Sequence, residues 1–278
     1  MDGRKIFFMP CTSENNFVPK LPQDKKINLI YICNPNNPTG TTLNKKGLQK
    51  FVDYAVEYNS VILYDGAYEK FIMSDDVPHS IYELPNAKKC AIEIRSFSKF
   101  AGFTGLRCGY SVVPNDLVCR EVSVSLNELW TRRQSTATNG VSYIIQRGAE
   151  ATFLPEAKEE YIANIKYYLE NTKIMRESLQ ELGYQVYGGL DSPYLWTEIP
   201  NDLSSWDWFD YLLNKTGIVC VPGIGFYGDT ELNSDDRDFM ISSDLSNSRS
   251  HKDYFRLSAF ATHEDVLEAI NRIKTISQ

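Results

Sequence analysis

Lys99 stands in RSFSKFAGFTG (residues 95–105), with serines before it, glycines after it and the strand-like CAIEI directly upstream. A lysine amine condenses with aldehydes, most readily where its neighbours depress its pKa. Two other strand-like runs also end on polar groups. NLIYIC (28–33) leads into NPNNPTG with Asn37, and SVILYD (60–65) ends on Asp65 with Tyr68 shortly after. A carboxylate can hold a pyridine nitrogen protonated, and a phenol and a carboxamide can both bond a ring oxygen. Ser96, Ser98, Arg107 and the N–H groups of a tight turn suit a phosphate dianion. Taken together, these groups answer the needs of pyridoxal 5'-phosphate, a cofactor held through a lysine with an acidic partner on its ring nitrogen. Taken singly, each has a plainer reading: NNPTG as a turn, a strand-end aspartate as a cap, a loop lysine as solvated. Adjacency of the three strands would bring them to one edge and turn three plain readings into a site.

That adjacency has a basis in the pattern. Between the first two runs, Leu48, Phe51, Val52, Ala55 and Val56 repeat at helical spacing with charges opposite, so 28–65 reads as β-α-β with parallel strands. The runs are largely apolar, as strands covered on both faces are. GYSVV (109–113) reads as a fourth strand and 120–150 as helical. A long amphipathic helix is expected over 155–182, closed by Gly183 as a C-cap. YQVYGG, YLWTEI, GIVCVPG and YFRLSAF then read as strands, with SSWDWFDYLLNKTG and HEDVLEAINRIKTIS as helices. The expected fold class is α/β. A mostly parallel sheet belongs to a large domain over 1–154, and a smaller α+β domain follows over 155–278. In open parallel sheets ligands bind outside the carboxyl ends of the strands, where these polar groups fall. The acidic, serine-rich 229–253 reads as an exposed loop or a partly disordered segment.

Composition narrows the classes. The chain has 278 residues, 42% hydrophobic and 13% aromatic, enough for a packed core. A formal net charge of -7 argues against a general binder of nucleic acid or anionic membrane. The six cysteines form no CxxC pair and the three histidines are widely spaced. Reduced thiols in a cytoplasmic setting are expected, with no metal site. No apolar run approaches the roughly 18 residues of a membrane span, and MDGRKIFFMP has no leader-like apolar region.

In order and approximate spacing, NNPTG, YDGAY, SFSKFAGFTGLRCGY and YFRLS resemble the class I/II, fold-type I aminotransferases over nearly the whole chain. The resemblance implies that Lys99 bonds the cofactor and moves the substrate proton, that Asp65 pairs with the ring nitrogen, and that Asn37 and Tyr68 bond the ring oxygen. Ser96, Ser98 and Arg107 would contact the phosphate. Asn37 and Arg256 would bind substrate, with Arg256 on the α-carboxylate, a task suited to its planar fork. CTSENNFVPKLP, SDDVPHSIYELP, TNG at 138–140, YGGLDSPYLW and PGIGF narrow the resemblance to the plant- and chlamydial-type subfamily acting on LL-diaminopimelate in lysine biosynthesis. It implies a homodimer in which Asn139 reaches the neighbouring subunit's substrate; an ordinary turn is the equal alternative for that residue. Members carry a long segment ahead of the point matching residue 1, with a phosphate-cradling turn and a tyrosine that stacks on the cofactor ring. A plastid leader, if any, would lie there. An aminotransferase of other specificity, or a non-catalytic fragment of such an enzyme, also fits the residues.

Overall fold

A computed structural model describes residues 6–21, 26–119, 123–200, 203–226 and 253–277; the expected acidic loop over 229–253 lies, but for Asp253, outside them. Two four-stranded sheets organise the described chain. The first has the order β1 (Leu29–Cys33), β2 (Val61–Asp65), β3 (Ala91–Ser96), β4 (Gly109–Val112). β1, β2 and β3 are parallel and β4 is antiparallel to β3. The register pairs Cys33 with Asp65 and Asp65 with Ile94, so the strands end level and release their chains at one edge.

Helix α1 (Lys45–Tyr58) makes the crossover from β1 to β2. The Asn44 side chain accepts from the Gly47 N–H to start it, and Asn59, at φ 56°, ends it. Leu48, Phe51, Val52 and Ala55 are buried as the spacing predicts and meet Ile30, Ile32, Ile62 and Tyr64 from one face of the sheet. The expectation that both faces are covered is not met. Along β1 the residues alternate, with Leu29 55% and Tyr31 57% exposed. Among the described residues only one face of this sheet carries a helix, so the strands alternate as half-buried strands do.

A small hairpin, β5 (Val118–Cys119) and β6 (Val124–Ser125), precedes α2 (Leu126–Ala137) and α3 (Tyr143–Ala151). Helix α4 (Pro155–Glu181) follows the expected span. Gly183, at φ 88°, donates to Gln180 O and Tyr184 donates to Leu179 O, a glycine-closed C-terminus.

The second sheet is antiparallel in the order β7 (Val186–Gly188), β8 (Tyr194–Glu198), β10 (Tyr254–Ser258), β9 (Val221–Pro222). The GIVCVPG run yields only the two residues of β9 before a short 3-10 turn at Gly223–Phe226. α4, α5 (Ser205–Thr216) and α6 (His263–Ile276) supply Met175, Leu179, Trp208, Leu212, Val266 and Ile270 to the core against Leu195 and Phe255. Phe17, far away in sequence, packs edge-on against Tyr187 and Tyr254 and joins Trp196 in a separate cluster. α4 links the two sheets: Ile165 joins Tyr68, Phe71 and Tyr194 near the first, while Leu179 lies in the core of the second.

Candidate active site

At the end of β2 the chain turns through Gly66 and Ala67. The Asp65 carboxylate closes that turn, with Oδ1 accepting from the Ala67 N–H at 3.0 Å. Its Oδ2 accepts from the Tyr31 hydroxyl at 2.6 Å. Beneath the turn lies a buried ion network. Arg95 Nε donates to Glu93 Oε1 at 2.9 Å, Arg95 Nη1 lies 3.3 Å from Glu69 Oε1, and Glu93 Oε2 accepts from Ser80 Oγ and Ile81 N–H. The residue before Ser96 is thereby tied to the 3-10 turn that follows Tyr68, fixing the ends of β2 and β3 against each other.

The loop after β3 is built from its own hydroxyls. Ser96 Oγ accepts from the Ser98 N–H at 3.1 Å, Thr104 Oγ1 donates to Ser98 O at 2.8 Å, and Arg107 Nη1 donates to Thr104 O at 2.6 Å. Arg107 takes a left-handed backbone, φ 56°, and is exposed. Lys99 is half-buried on this loop, its Nζ 5.4 Å from the centre of the Phe260 ring. Burial, then Arg256, then Arg107 press the Lys99 pKa below the ordinary lysine value, because each penalises its charged form. Lys99 is therefore closer to a free amine than a surface lysine, as a nucleophile or proton acceptor must be.

On the opposite wall, Arg256 from β10 donates through Nη1 to Asn37 Oδ1 at 2.7 Å. Asn37 Nδ2 lies 3.4 Å from the Tyr68 hydroxyl, which lies 3.0 Å from the Tyr194 hydroxyl. The guanidinium sits over the rings of Tyr194, 4.6 Å away, and Phe226, 5.3 Å away. Its Nε is buried and has no hydrogen-bond partner among the described residues. The NNPTG turn meets the second sheet without side chains between them: a Cβ on Gly40, φ +65°, would lie 2.1 Å from Tyr194 O, and one on Gly188 2.3 Å from Thr39 O. Nearby, the buried Asp191 carboxylate accepts from Met73 N–H, Ser74 N–H and Ser74 Oγ, clamping the two sheets' loops together.

The structure thus gathers Asn37, Asp65, Tyr68, Ser96, Ser98, Lys99, Arg107 and Arg256 around one edge. Asn139 does not join them. It is exposed at φ 56° past the end of α2, its N–H donating to Gln134 O at 2.8 Å, in the geometry of a turn residue. Sequence reasoning missed Tyr194, Phe260 and Tyr31. The first two lay within the quoted YGGLDSPYLW and YFRLSAF runs, but nothing in their type marked them among 17 tyrosines and 14 phenylalanines.

The donor set suits a pyridine aldehyde that carries a phosphate. It offers an amine of lowered pKa, a carboxylate held by neutral donors, a phenol with a carboxamide, and a hydroxyl-lined loop with an arginine. Among the described residues no three or more His, Cys, Asp or Glu side chains gather where a metal ion could be held, and no helix is long and apolar enough to cross a membrane.

The sequence profile of aminotransferase class I and II matches residues 2–273. The chain is similar to an LL-diaminopimelate aminotransferase of Bacteroides thetaiotaomicron, 50% identical over 97% of this chain and 61% of that one. One from Methanosphaera stadtmanae is 47% identical over 98% of this chain and 61% of its own length. Among solved structures, the L,L-diaminopimelate aminotransferase of Chlamydomonas reinhardtii superposes with a TM-score of 0.84 at 37% identity, over 98% of this chain and 61% of that one. The aromatic aminotransferase of Pyrococcus horikoshii, at 23% identity and a TM-score of 0.75, shares the fold. The chain spans about three fifths of the length of the curated relatives it matches.

Proposed function

Because the chain belongs to the class I and II aminotransferases, we propose that it transfers amino groups with pyridoxal 5'-phosphate. The reaction we assign is between LL-diaminopimelate and 2-oxoglutarate, giving tetrahydrodipicolinate and glutamate, in lysine biosynthesis. The specificity rests on the similarity to LL-diaminopimelate aminotransferases. The observation that carries the chemistry is Lys99, a half-buried amine whose pKa is lowered by burial, Arg256 and Arg107, with Arg256 itself bonded to the Asn37 that lies beside Tyr68.

When bound, the cofactor supplies an aldehyde for covalent capture and a protonated ring that stabilises negative charge at the substrate α-carbon. Lys99 would hold the aldehyde and, with its lowered pKa, would serve as the base for the substrate α-proton. Asp65 would face the ring nitrogen and favour its protonated form. Tyr68 and Asn37 would hold the ring oxygen, and Ser96, Ser98 and Arg107 the phosphate. Arg256 binds the substrate α-carboxylate. Stacked between Tyr194 and Phe226 and already bonded to Asn37, its guanidinium is fixed in orientation before substrate arrives. The same Asn37 side chain touches Arg256 and Tyr68, so it relates the substrate's acid end to the ring oxygen.

We further propose a homodimer of cytoplasmic enzyme, with Asn139 presented to the partner. Its exposed position suits that role, and all six cysteines are free, as a reducing compartment permits. Formation of glutamate from 2-oxoglutarate and LL-diaminopimelate by the purified chain tests the assignment. Activity is expected, and Lys99→Ala should remove it, a loss of at least about a thousandfold, since covalent capture and proton transfer are lost together. Substantial turnover by that variant would overturn the assignment.

A further inference from the structure

Asp65 is the anion of the site, yet among the described residues it makes no ion pair. Two neutral donors hold it instead: the Ala67 N–H on Oδ1 at 3.0 Å and the Tyr31 hydroxyl on Oδ2 at 2.6 Å. The register explains the second. Cys33 pairs with Asp65 and Tyr31 with Leu63, so Tyr31 lies on the same face of the sheet, two residues back along the neighbouring strand. A phenol at that diagonal position spans the distance and points its hydroxyl along the sheet into the carboxylate. The Cys33 side chain, beside Asp65, points elsewhere, its Sγ donating to Pro35 O at 3.3 Å.

We propose that Tyr31 is the positioning residue of Asp65: it fixes the carboxylate's rotation through Oδ2 and, being neutral, leaves the negative charge available to a protonated pyridine nitrogen. The proposal rests on the reading of Asp65 as the partner of the cofactor ring nitrogen. A lysine or arginine in place of Tyr31 would hold the carboxylate equally well but would cancel the charge the ring nitrogen needs. The hydroxyl also keeps its proton across the working range. Burial first, then the bond to Asp65, push the Tyr31 phenol well above the ordinary tyrosine value. The thiol of Cys33, pushed up to about 12 mainly by burial, stays neutral as well. The two β1 side chains nearest the carboxylate, Tyr31 and Cys33, are therefore both uncharged.

The test compares the unsubstituted chain, Tyr31→Phe and Asp65→Asn, each loaded with pyridoxal phosphate carrying 15N in the ring. The readouts are the ring 15N chemical shift, the cofactor dissociation constant and the thermal midpoint. Phe keeps the ring of the half-exposed Tyr31 and removes only the hydroxyl. The expected result is a protonated-nitrogen shift in the unsubstituted chain and a neutral-nitrogen shift in Asp65→Asn. Tyr31→Phe should lie between them, with cofactor affinity lowered about tenfold, the scale of one hydrogen bond to a charged group, and an unchanged thermal midpoint. If Tyr31→Phe matches the unsubstituted chain while Asp65→Asn moves, Tyr31 has no positioning role and the reading of Asp65 stands. If Asp65→Asn leaves the nitrogen shift unchanged, or the unsubstituted chain takes up no cofactor, the reading of Asp65 falls and the proposal with it.

Discussion

Lys99 owes its chemistry to what surrounds it. Burial and the charges of Arg256 and Arg107 all lower its pKa, so the uncharged, reactive amine forms at a lower pH than for a surface lysine. The rate at which Lys99 reacts with pyridoxal, which lacks the phosphate, should rise with pH and reach half-maximum below 10.5, the ordinary lysine value. Removing a neighbouring positive charge by Arg107→Gln should move that midpoint upward, because the ammonium form is then less penalised. Peptide-resolved labelling across pH checks this, and a midpoint unmoved by the substitution would contradict the electrostatic cause. Lys99, Asp65, Tyr68 and Asn37 were legible in the sequence because each stands at or a few residues beyond the end of an apolar strand that the α/β pattern places. Arg256 was not legible by that route: it lies mid-strand in a different sheet, and only the family pattern singled it out. Tyr194 and Phe260 were illegible, since they enter through a contact between sheets that no local pattern encodes.

At the scale of elements, the site depends on how closely the NNPTG turn approaches β8. Gly40 has a left-handed backbone and backbone atoms where a Cβ would go, so Gly40→Ala adds a steric clash to an unfavourable φ. A loss of about 1–3 kcal/mol in stability is expected, together with weaker cofactor uptake, because the turn carries Asn37. Urea denaturation and absorbance titration measure the two, and wild-type values in both would show that the turn does not need this contact. Helical spacing marks α1, since Leu48, Phe51, Val52 and Ala55 recur at that period and end in the core, and Gly183 marks the end of α4. The first sheet was less legible. Its strands read as buried on both faces, yet Leu29 and Tyr31 are exposed, and composition alone does not say which partner covers an apolar face. Nor did the pattern reveal Arg95, whose charge inside a strand is tolerated because Glu93 and Glu69 surround it. The proposed division at 154/155 cuts just before α4, which packs on both sides of the site. Phe17 meanwhile packs on the second sheet, while Met9, Val18, Leu21 and Ile27 pack against the core of the first.

On the scale of the whole molecule, several large apolar side chains stand exposed. Tyr143 is 73% and Ile144 80% exposed at the start of α3, and Phe153 65% and Leu154 55% just past its end; exposed apolar side chains of this size are the kind that protein contacts cover. Sedimentation of the chain is expected to show a dimer. Ile144→Asp should dissociate it while changing the stability of the isolated subunit by no more than about 0.5 kcal/mol, because the side chain touches little within its own chain. A monomer at all concentrations, or a dimer indifferent to the substitution, would contradict that surface as the interface. Above all, the fold must set one lysine apart from the many on the surface. Incubation of the chain with pyridoxal phosphate, borohydride reduction and peptide mass mapping tests this most directly. A visible absorption band is expected before reduction and a single label on Lys99 after it. A label scattered over surface lysines, or none, would contradict this.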